Sequence, residues 1–575
     1  MAATLPRTAN SASGYLTGLL DYGETRHRYA VILLTVLALL AFLPGFSQVP
    51  PVDREEPRFA QAAKQMIETG NYVDIRFQDT ERYAKPIGIY WLQVAVVKTA
   101  EAVGLPRARI RIWLYRLPSL FAAIGVVLMT YWSALAFVGR RPAVLAGAMM
   151  ACCVMLSVEA RLAKTDAVLL LTTTIALGAL ARVYLAQRES PGAVTKTSLT
   201  LLFWTAIAVG TLVKGPIIWL FAGLPAIVLS IADRNARWLL ALRPLVGLAW
   251  CALIALPWFI AIVRQSGFLF LSESIVGDLL SRTVTGKDGN WRPPGFHFLL
   301  FWIMFWPGAP LAAVAAPQLW QMRGAADVRF LLAWIIPAWI VFEIALTKQP
   351  HYVLPLFPAF AIAIAVAIER RALSTSRWLQ NATVGWFLLP LGVFIASVVF
   401  IAYAGRSVGY LSWPIAAFAT TIGAFAWWLY TNREIEQALV KAIAAALLVS
   451  IAFHGLVLPA LAYVSPSPEI ARYLRDAPCS QPRLASAGYQ EPSLVFLAGT
   501  QTVLTDGRGA AEFLRDGGCR YVAVESRQLR NFTQYAENAG IRYESVGRVE
   551  RLNLARVRRA TILVFRAPMQ GDRAP

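Results

Sequence analysis

Several ionisable residues in this chain stand where charge is costly, beside long apolar runs. The first is the acidic start of Asp53-Arg54-Glu55-Glu56-Pro57-Arg58-Phe59. Apolar and small residues at helical spacing follow to Met66, which predicts an amphipathic helix on the membrane surface with carboxylates at its N-terminal end. Lys85-Pro86 opens an aromatic segment, Ile87-Gly88-Ile89-Tyr90-Trp91, where proline suits a first helical turn. Asp166 heads an apolar run, and Lys214 lies in Val213-Lys214-Gly215-Pro216 with almost no loop around it. Arg282, Lys287 and Arg292 fall in a polar stretch, and Lys348-Gln349-Pro350-His351-Tyr352 forms a turn between two further apolar runs. Each has a plain reading as well. Glu55 and Glu56 suit a helix N-terminus, Asp166 suits a cap, and Lys85 can snorkel. Taken together, these residue types suit one chemistry. Lysine and arginine bind phosphate. Carboxylates position an acceptor or stabilise positive charge developing on a sugar. Apolar surface holds a lipid tail.

The elements that must position these residues are membrane helices. The chain has 575 residues, of which 57% are hydrophobic and 15% charged. Soluble domains carry about 25% charged residues, so an ordinary soluble enzyme is excluded. The net charge of +21 fits an anionic membrane surface. Apolar runs predict thirteen spans, near 28–46, 110–137, 142–158, 166–187, 198–213, 214–232, 242–263, 297–316, 328–347, 352–369, 378–404, 412–430 and 437–464. No cleavable signal peptide is expected, because the first 27 residues are polar and the first span is long.

One series of span ends and loops is short and basic. It holds Arg26, Arg28, Arg140, Arg141, Arg188, Lys196, Arg234, Arg237, Arg323, Arg370, Arg371 and Arg433, as cytoplasmic loops should. The long segments 47–108 and 264–296 then face outward, with every candidate residue named above and the C-terminus. The chain therefore reads as a polytopic α-helical membrane domain, 1–464, and a small outer α/β domain, 465–575. The second begins at Ser465-Pro466-Ser467-Pro468 and contains β-rich runs such as Tyr521-Val522-Ala523-Val524. Cys479 and Cys519 lie in it, either disulfide-bonded or as two separate thiols.

No glycine-rich nucleotide loop, zinc-like cluster or nucleic-acid partner is indicated. No cofactor is required. A divalent ion could be held by Glu55, Glu56, Asp166 and His351 only if folding assembled them.

The motif Glu55-Glu56-Pro57-Arg58-Phe59-Ala60 precedes Lys85-Pro86, Asp166, Lys214-Gly215 and Lys348-Gln349-Pro350-His351-Tyr352. This order resembles the GT-C class of membrane glycosyltransferases, and within it the bacterial aminoarabinose lipid A transferases, over the whole chain. The resemblance implies transfer of 4-amino-4-deoxy-L-arabinose from undecaprenyl phosphate to a lipid A phosphate. It places the reaction at the periplasmic face of the inner membrane and implies resistance to polymyxin and other cationic peptides. It implies catalytic roles for Glu55 and Asp166. Glu56, Phe59, Lys85, Lys214, Arg282, Lys348, His351 and Tyr352 would bind substrate, Lys85 and Arg282 holding the donor phosphate. The family's first-loop motif reads Asp-Glu, so Glu55 adds a methylene. That moves the carboxylate by about 1.5 Å, and misplacements of about 1 Å can cost about 10²-fold in rate. Asp53 is the nearby carboxylate that can take part instead. Phe59 stands where the family has tyrosine. Two other readings compete: a mannosyltransferase-like enzyme acting on protein or another glycan, and a transporter of lipid-linked sugars.

Overall fold

A computed structural model of the chain describes residues 13–274, 277, 292–403, 412–459, 465–553 and 558–568. Arg282 and Lys287 lie outside the described residues. Among the described residues, each of the thirteen predicted runs overlaps one helix or a succession of helical pieces. Seven of the described helices are long and apolar enough to cross a membrane, or eight if the sharply bent pair Phe296–Met304 and Ala309–Gln321 is one span. Others are shorter or interrupted. The run near 142–158 is split into Arg140–Ala151 and Val154–Glu159, and the predicted first span is the helix His27–Phe42. The chain is a multi-pass membrane protein.

The two ends of the bundle differ in chemistry. At one end Arg141 pairs with Asp21, Glu24 and Glu436, Asp233 with Arg188 and Arg329, and Arg370 with Asp327. These residues belong to the short basic loops. The helix Asp166–Glu189 runs from the opposite end, and its 24 residues separate Asp166 from Arg188 by roughly 33 Å at 1.5 Å per residue. Asp166, the end of Thr197–Lys214 and the turn before Pro350–Leu356 therefore gather at the second end.

The first long segment sits on that second end. It contributes the helix Glu55–Thr69, a two-residue hairpin of β1 (Arg76–Phe77) and β2 (Thr80–Glu81), and the helix Gly88–Ala102. Its apolar residues share a core with Ala167, Val168, Leu212, Val213, Trp258 and Phe270 of the bundle. A Cβ on Gly88 would stand 2.8 Å from the Leu212 carbonyl oxygen, so only glycine allows this approach. Gly215 closes the neighbouring helix at φ +70°, a region that favours glycine. Pro86 is thereby laid beside Gly215, with the helix starting at Gly88 rather than at the proline.

Residues 483–566 carry a mixed sheet of β3 (Arg483–Ala487), β4 (Val503–Thr505), β5 (Arg520–Glu525), β6 (Glu544–Asn553) and β7 (Arg558–Arg566), in the order β4-β3-β5-β7-β6. β3 pairs in parallel with β4 and β5, while β7 pairs antiparallel with β5 and β6. Helices cover both faces. Pro466–Arg475 and Pro492–Ala498 pack on one side, Gly507–Arg515 and Ser526–Asn538 on the other. Cys479 and Cys519 are disulfide-bonded, with Cα atoms 6.0 Å apart.

This domain changes the reading of the helix Glu55–Thr69. That helix does not lie with a polar face toward water, because the C-terminal domain covers the face. Lys64 donates to the Phe496 carbonyl at 3.1 Å, and Gln61 donates to Thr500 Oγ1 at 2.7 Å. Thr500 donates to Glu68, and Gln78 donates to the carbonyls of Thr500 and Thr502. Burial pushes the Lys64 ammonium below its usual range, with Glu68 opposing the shift. An amphipathic pattern shows that both faces need partners; it does not say that one of the partners is lipid.

Candidate functional site

A charged cluster is built where three helix ends meet. Asp166 begins one membrane helix and Lys214 ends another, and Lys214 Nζ donates to Asp166 Oδ1 at 2.5 Å. Lys164, in the turn before Asp166, donates to Glu159 Oε1 at 3.2 Å and lies 3.6 Å from Asp166 Oδ2. His351 completes the group. Its Nδ1 is 3.7 Å from Glu159 Oε1 and its Nε2 is 3.5 Å from Asp166 Oδ1. The Lys214 ammonium faces the Tyr352 ring at 5.7 Å. Burial works against the charge on Lys164, yet the adjacent Glu159 and Asp166 carboxylates hold its pKa above the usual lysine range. Two carboxylates and two ammonium groups so close make a site able to meet a phosphate and a cationic or electron-poor sugar at once.

Glu159, Asp166 and His351 place ligand atoms within 4.8 Å of one another. That set could receive a divalent ion, but Lys164 and Lys214 already neutralise the same carboxylates, so an ion must displace an ammonium. The four-residue set expected from sequence is not assembled. Asp166 and His351 meet, Glu56 is turned to Arg116, and Glu55 makes no direct contact with them but is near enough to help raise the Lys164 pKa.

Glu55 instead faces a cavity of about 540 Å³ lined by Glu55, Arg58, Arg82 and Tyr83 of the first segment and by Gln490 and Pro492 of the C-terminal domain. Arg58 lies 3.5 Å and Arg82 3.1 Å from the Glu55 carboxylate. Arg82 also donates to Tyr90 Oη at 2.7 Å and lies over the Phe59 ring at 4.4 Å. Phe59 is buried against Tyr90 and serves as a platform under Arg82. Without a hydroxyl it acts by stacking alone.

Glu56 and Lys348, expected at the substrate, are engaged by the protein. Glu56 takes Nε and Nη2 of Arg116 on its two oxygens at 2.7 and 2.8 Å, with both side chains 1% exposed. It also accepts from the backbone N–H of Val52 and Ala163. This carboxylate fastens the first segment to the bundle and to the turn carrying Lys164. Lys348 is buried and donates to the carbonyls of Arg292 and Ala345, which holds the turn before His351. Asp53 is turned away from the cavity. Its oxygens accept from Ser493 N at 2.9 Å and Ser493 Oγ at 2.6 Å.

Sequence reasoning did not single out Glu159, Lys164, Arg82 or Arg116. Arg116 carried a signal, being an arginine inside the apolar run 110–137, where an unpaired charge is expensive. Glu159 stood one residue beyond a predicted span. Nothing local marked Arg82.

Burial raises the Asp53 carboxyl to about 6, against the two Ser493 hydrogen bonds, with Glu491 and Glu56 adding to the rise. Arg54 faces Glu491 at 3.8 Å, and Tyr489 is the other titratable group nearby. The folded state thus binds this proton more tightly than the unfolded chain. The stability linked to it is fully present below about pH 4 and lost as pH rises through about 6. Asp53→Asn removes the dependence. Its Tm relative to wild type in detergent is expected to increase between about pH 5 and about pH 7.5; an unchanged difference would contradict this assignment.

Structural and sequence relatives agree with this architecture. The crystal structure of ArnT from Cupriavidus metallidurans bound to undecaprenyl phosphate superposes with a TM-score of 0.72 at 19% identity, covering 93% of this chain and 97% of that one. Its apo form gives a TM-score of 0.70. The chain shares the fold of that protein. A family model described as dolichyl-phosphate-mannose-protein mannosyltransferase matches residues 101–267, the part of the chain that holds Arg116, Glu159, Asp166 and Lys214. Among sequence relatives are proteins named undecaprenyl phosphate-alpha-4-amino-4-deoxy-L-arabinose arabinosyl transferase. The one from Erwinia tasmaniensis is 27% identical over 361 residues, 59% of each chain. The one from Aeromonas salmonicida is 27% identical over 408 residues, 67% of this chain and 70% of that one. The first of these alignments spans less than two thirds of its relative's length.

Proposed function

We propose that this chain is an integral-membrane glycosyltransferase of the bacterial inner membrane. It moves 4-amino-4-deoxy-L-arabinose from undecaprenyl phosphate to a phosphate of lipid A at the periplasmic face. The observation that carries this reading is the Glu159, Lys164, Asp166, Lys214 and His351 cluster, at the bundle end opposite the basic loops. The names of the sequence relatives supply the sugar and the donor lipid.

In the reaction, an oxygen of the acceptor phosphate attacks the anomeric carbon. The bond from that carbon to the donor phosphate oxygen breaks, and undecaprenyl phosphate leaves with the electron pair. Direct displacement inverts the anomeric centre. The nucleophile is already anionic, so no general base is needed. The protein must instead hold two phosphates close together and tolerate positive charge on the sugar. Lys85, next to the Pro86 that packs at Gly215, is assigned to the leaving phosphate, with Arg282 as the partner that the sequence resemblance implies. Asp166 and Glu55 are assigned to positioning and to the sugar's positive charge, and Tyr352 to the sugar face. Negative groups on the sugar side and positive groups on the phosphate side lower the barrier only where they are preorganised.

Lipid A from cells with and without this chain, compared by mass spectrometry, tests the reading. The expected difference is one added pentosamine, absent with Lys85→Ala at equal protein level. Unmodified lipid A in cells that make the donor would refute it. The family-model match to residues 101–267 favours one other reading, transfer of a neutral sugar to protein. Glycosylated protein with unmodified lipid A would select that one. Transport is disfavoured because the cluster lies at one end of the bundle, not at mid-depth.

A further inference from the structure

The C-terminal domain does more than cover the first segment. Glu55 opens the helix Glu55–Thr69 and is gripped on both sides. On the following side, Glu56 is locked to Arg116 of the bundle. On the preceding side, Asp53 takes both the backbone N–H and the hydroxyl of Ser493. Ser493 is itself fixed. Its Oγ meets Ser467 Oγ at 2.7 Å, and that hydroxyl meets Tyr489 Oη at 2.7 Å, all within the C-terminal domain. Gln490 and Pro492, just before Ser493, line the same cavity as Glu55. The domain thus supplies one wall of the cavity and holds the residue two positions before its carboxylate.

We infer that Asp53 and Ser493 are positioning residues through which the C-terminal domain sets the Glu55 carboxylate for sugar transfer. The inference rests on the proposed role of Glu55. Glu55 is more than half exposed and, among the described residues, is held laterally by Arg58 and Arg82, at 3.5 and 3.1 Å. Its aim therefore depends on where the backbone is pinned. Bundle and domain pin it from opposite sides, and loss of either leaves the helix start able to shift. A displacement of about 1 Å at a reacting group can lower the rate by about 10²-fold.

The test uses the full-length protein in detergent, with undecaprenyl phosphate-linked aminoarabinose as donor and lipid A as acceptor. Asp53→Ala is expected to lower kcat by roughly tenfold or more while donor KM stays within about twofold. Asp53→Asn keeps an acceptor for the Ser493 N–H and a partner for its hydroxyl, and is expected to recover most of the rate. Hydrogen exchange supplies a readout independent of turnover. Amides of 52–59 should lose protection in Asp53→Ala and keep it in Asp53→Asn. A merely structural contact would lower Tm and yield but leave kcat per folded molecule unchanged. Wild-type protection of 52–59 in Asp53→Ala, or an unchanged kcat, overturns the inference. Glu55→Gln separates the two levels. If it has no effect on kcat, the reading of Glu55 fails; if it abolishes transfer while Asp53→Ala does not, the positioning inference alone fails.

Discussion

Asp166→Asn is expected to lower kcat for sugar transfer by about 10³-fold, with the protein still folded and inserted. Asparagine has nearly the same shape, so the helix start is kept. What is lost is the charge on which Lys214, Lys164 and His351 converge. Without it, Lys164 keeps Glu159, and Lys214 is released from the geometry set by its 2.5 Å contact. Phosphate binding should be affected less than turnover, because the lysines remain and lose an internal competitor. The split between KM and kcat therefore carries the information. A variant with wild-type kcat would mean that the cluster is a structural ion network, which buried charges often are.

Arg116→Ala is expected to be the most destabilising single substitution at this end of the bundle. Arg116 makes two bonds to Glu56 and donates to the carbonyls of Phe46, Val49 and Pro50. Its removal leaves a buried carboxylate with only two backbone N–H partners. Breaking a buried pair from one side typically costs about 3–5 kcal/mol. Unfolding in detergent should show a clear fall in Tm, with loss of membrane-inserted yield. Replacing both partners with apolar side chains, Arg116→Met with Glu56→Leu, should recover part of the stability without restoring activity. An Arg116→Ala protein as stable as wild type would show that the pair does not fasten the first segment.

The two substitutions separate what was legible in sequence from what was not. The positions of the apolar helices were legible because apolar runs of membrane length allow one backbone solution, the helix; seven or eight of the described helices are long enough to cross a membrane. Asp166, Lys214 and His351 were legible as expensive charges at span ends, and the structure brings them within hydrogen-bond or ion-pair distance. Partner identity was not legible. Glu56 and Glu55 are adjacent, yet one is buried on Arg116 and the other faces a cavity, a difference set by which side of the helix meets the bundle. Lys348 was assigned to substrate through the family resemblance, which says nothing of its neighbours in this fold. Here two backbone carbonyls claim it. Asp53 lies next to Glu55-Glu56 in sequence but binds a serine 440 residues away, and nothing local could foretell that. The C-terminal α/β domain was read from its strand and helix pattern, but its grip on the helix Glu55–Thr69 depends on contacts far apart in the chain.

The most direct test of the account is transfer by the purified protein in detergent, where no transmembrane gradient exists. With undecaprenyl phosphate-linked aminoarabinose and lipid A, the expected product is lipid A heavier by one pentosamine, formed by wild type and not by Lys85→Ala. No such product from a folded wild-type protein, or equal product from the Lys85→Ala variant, would contradict it.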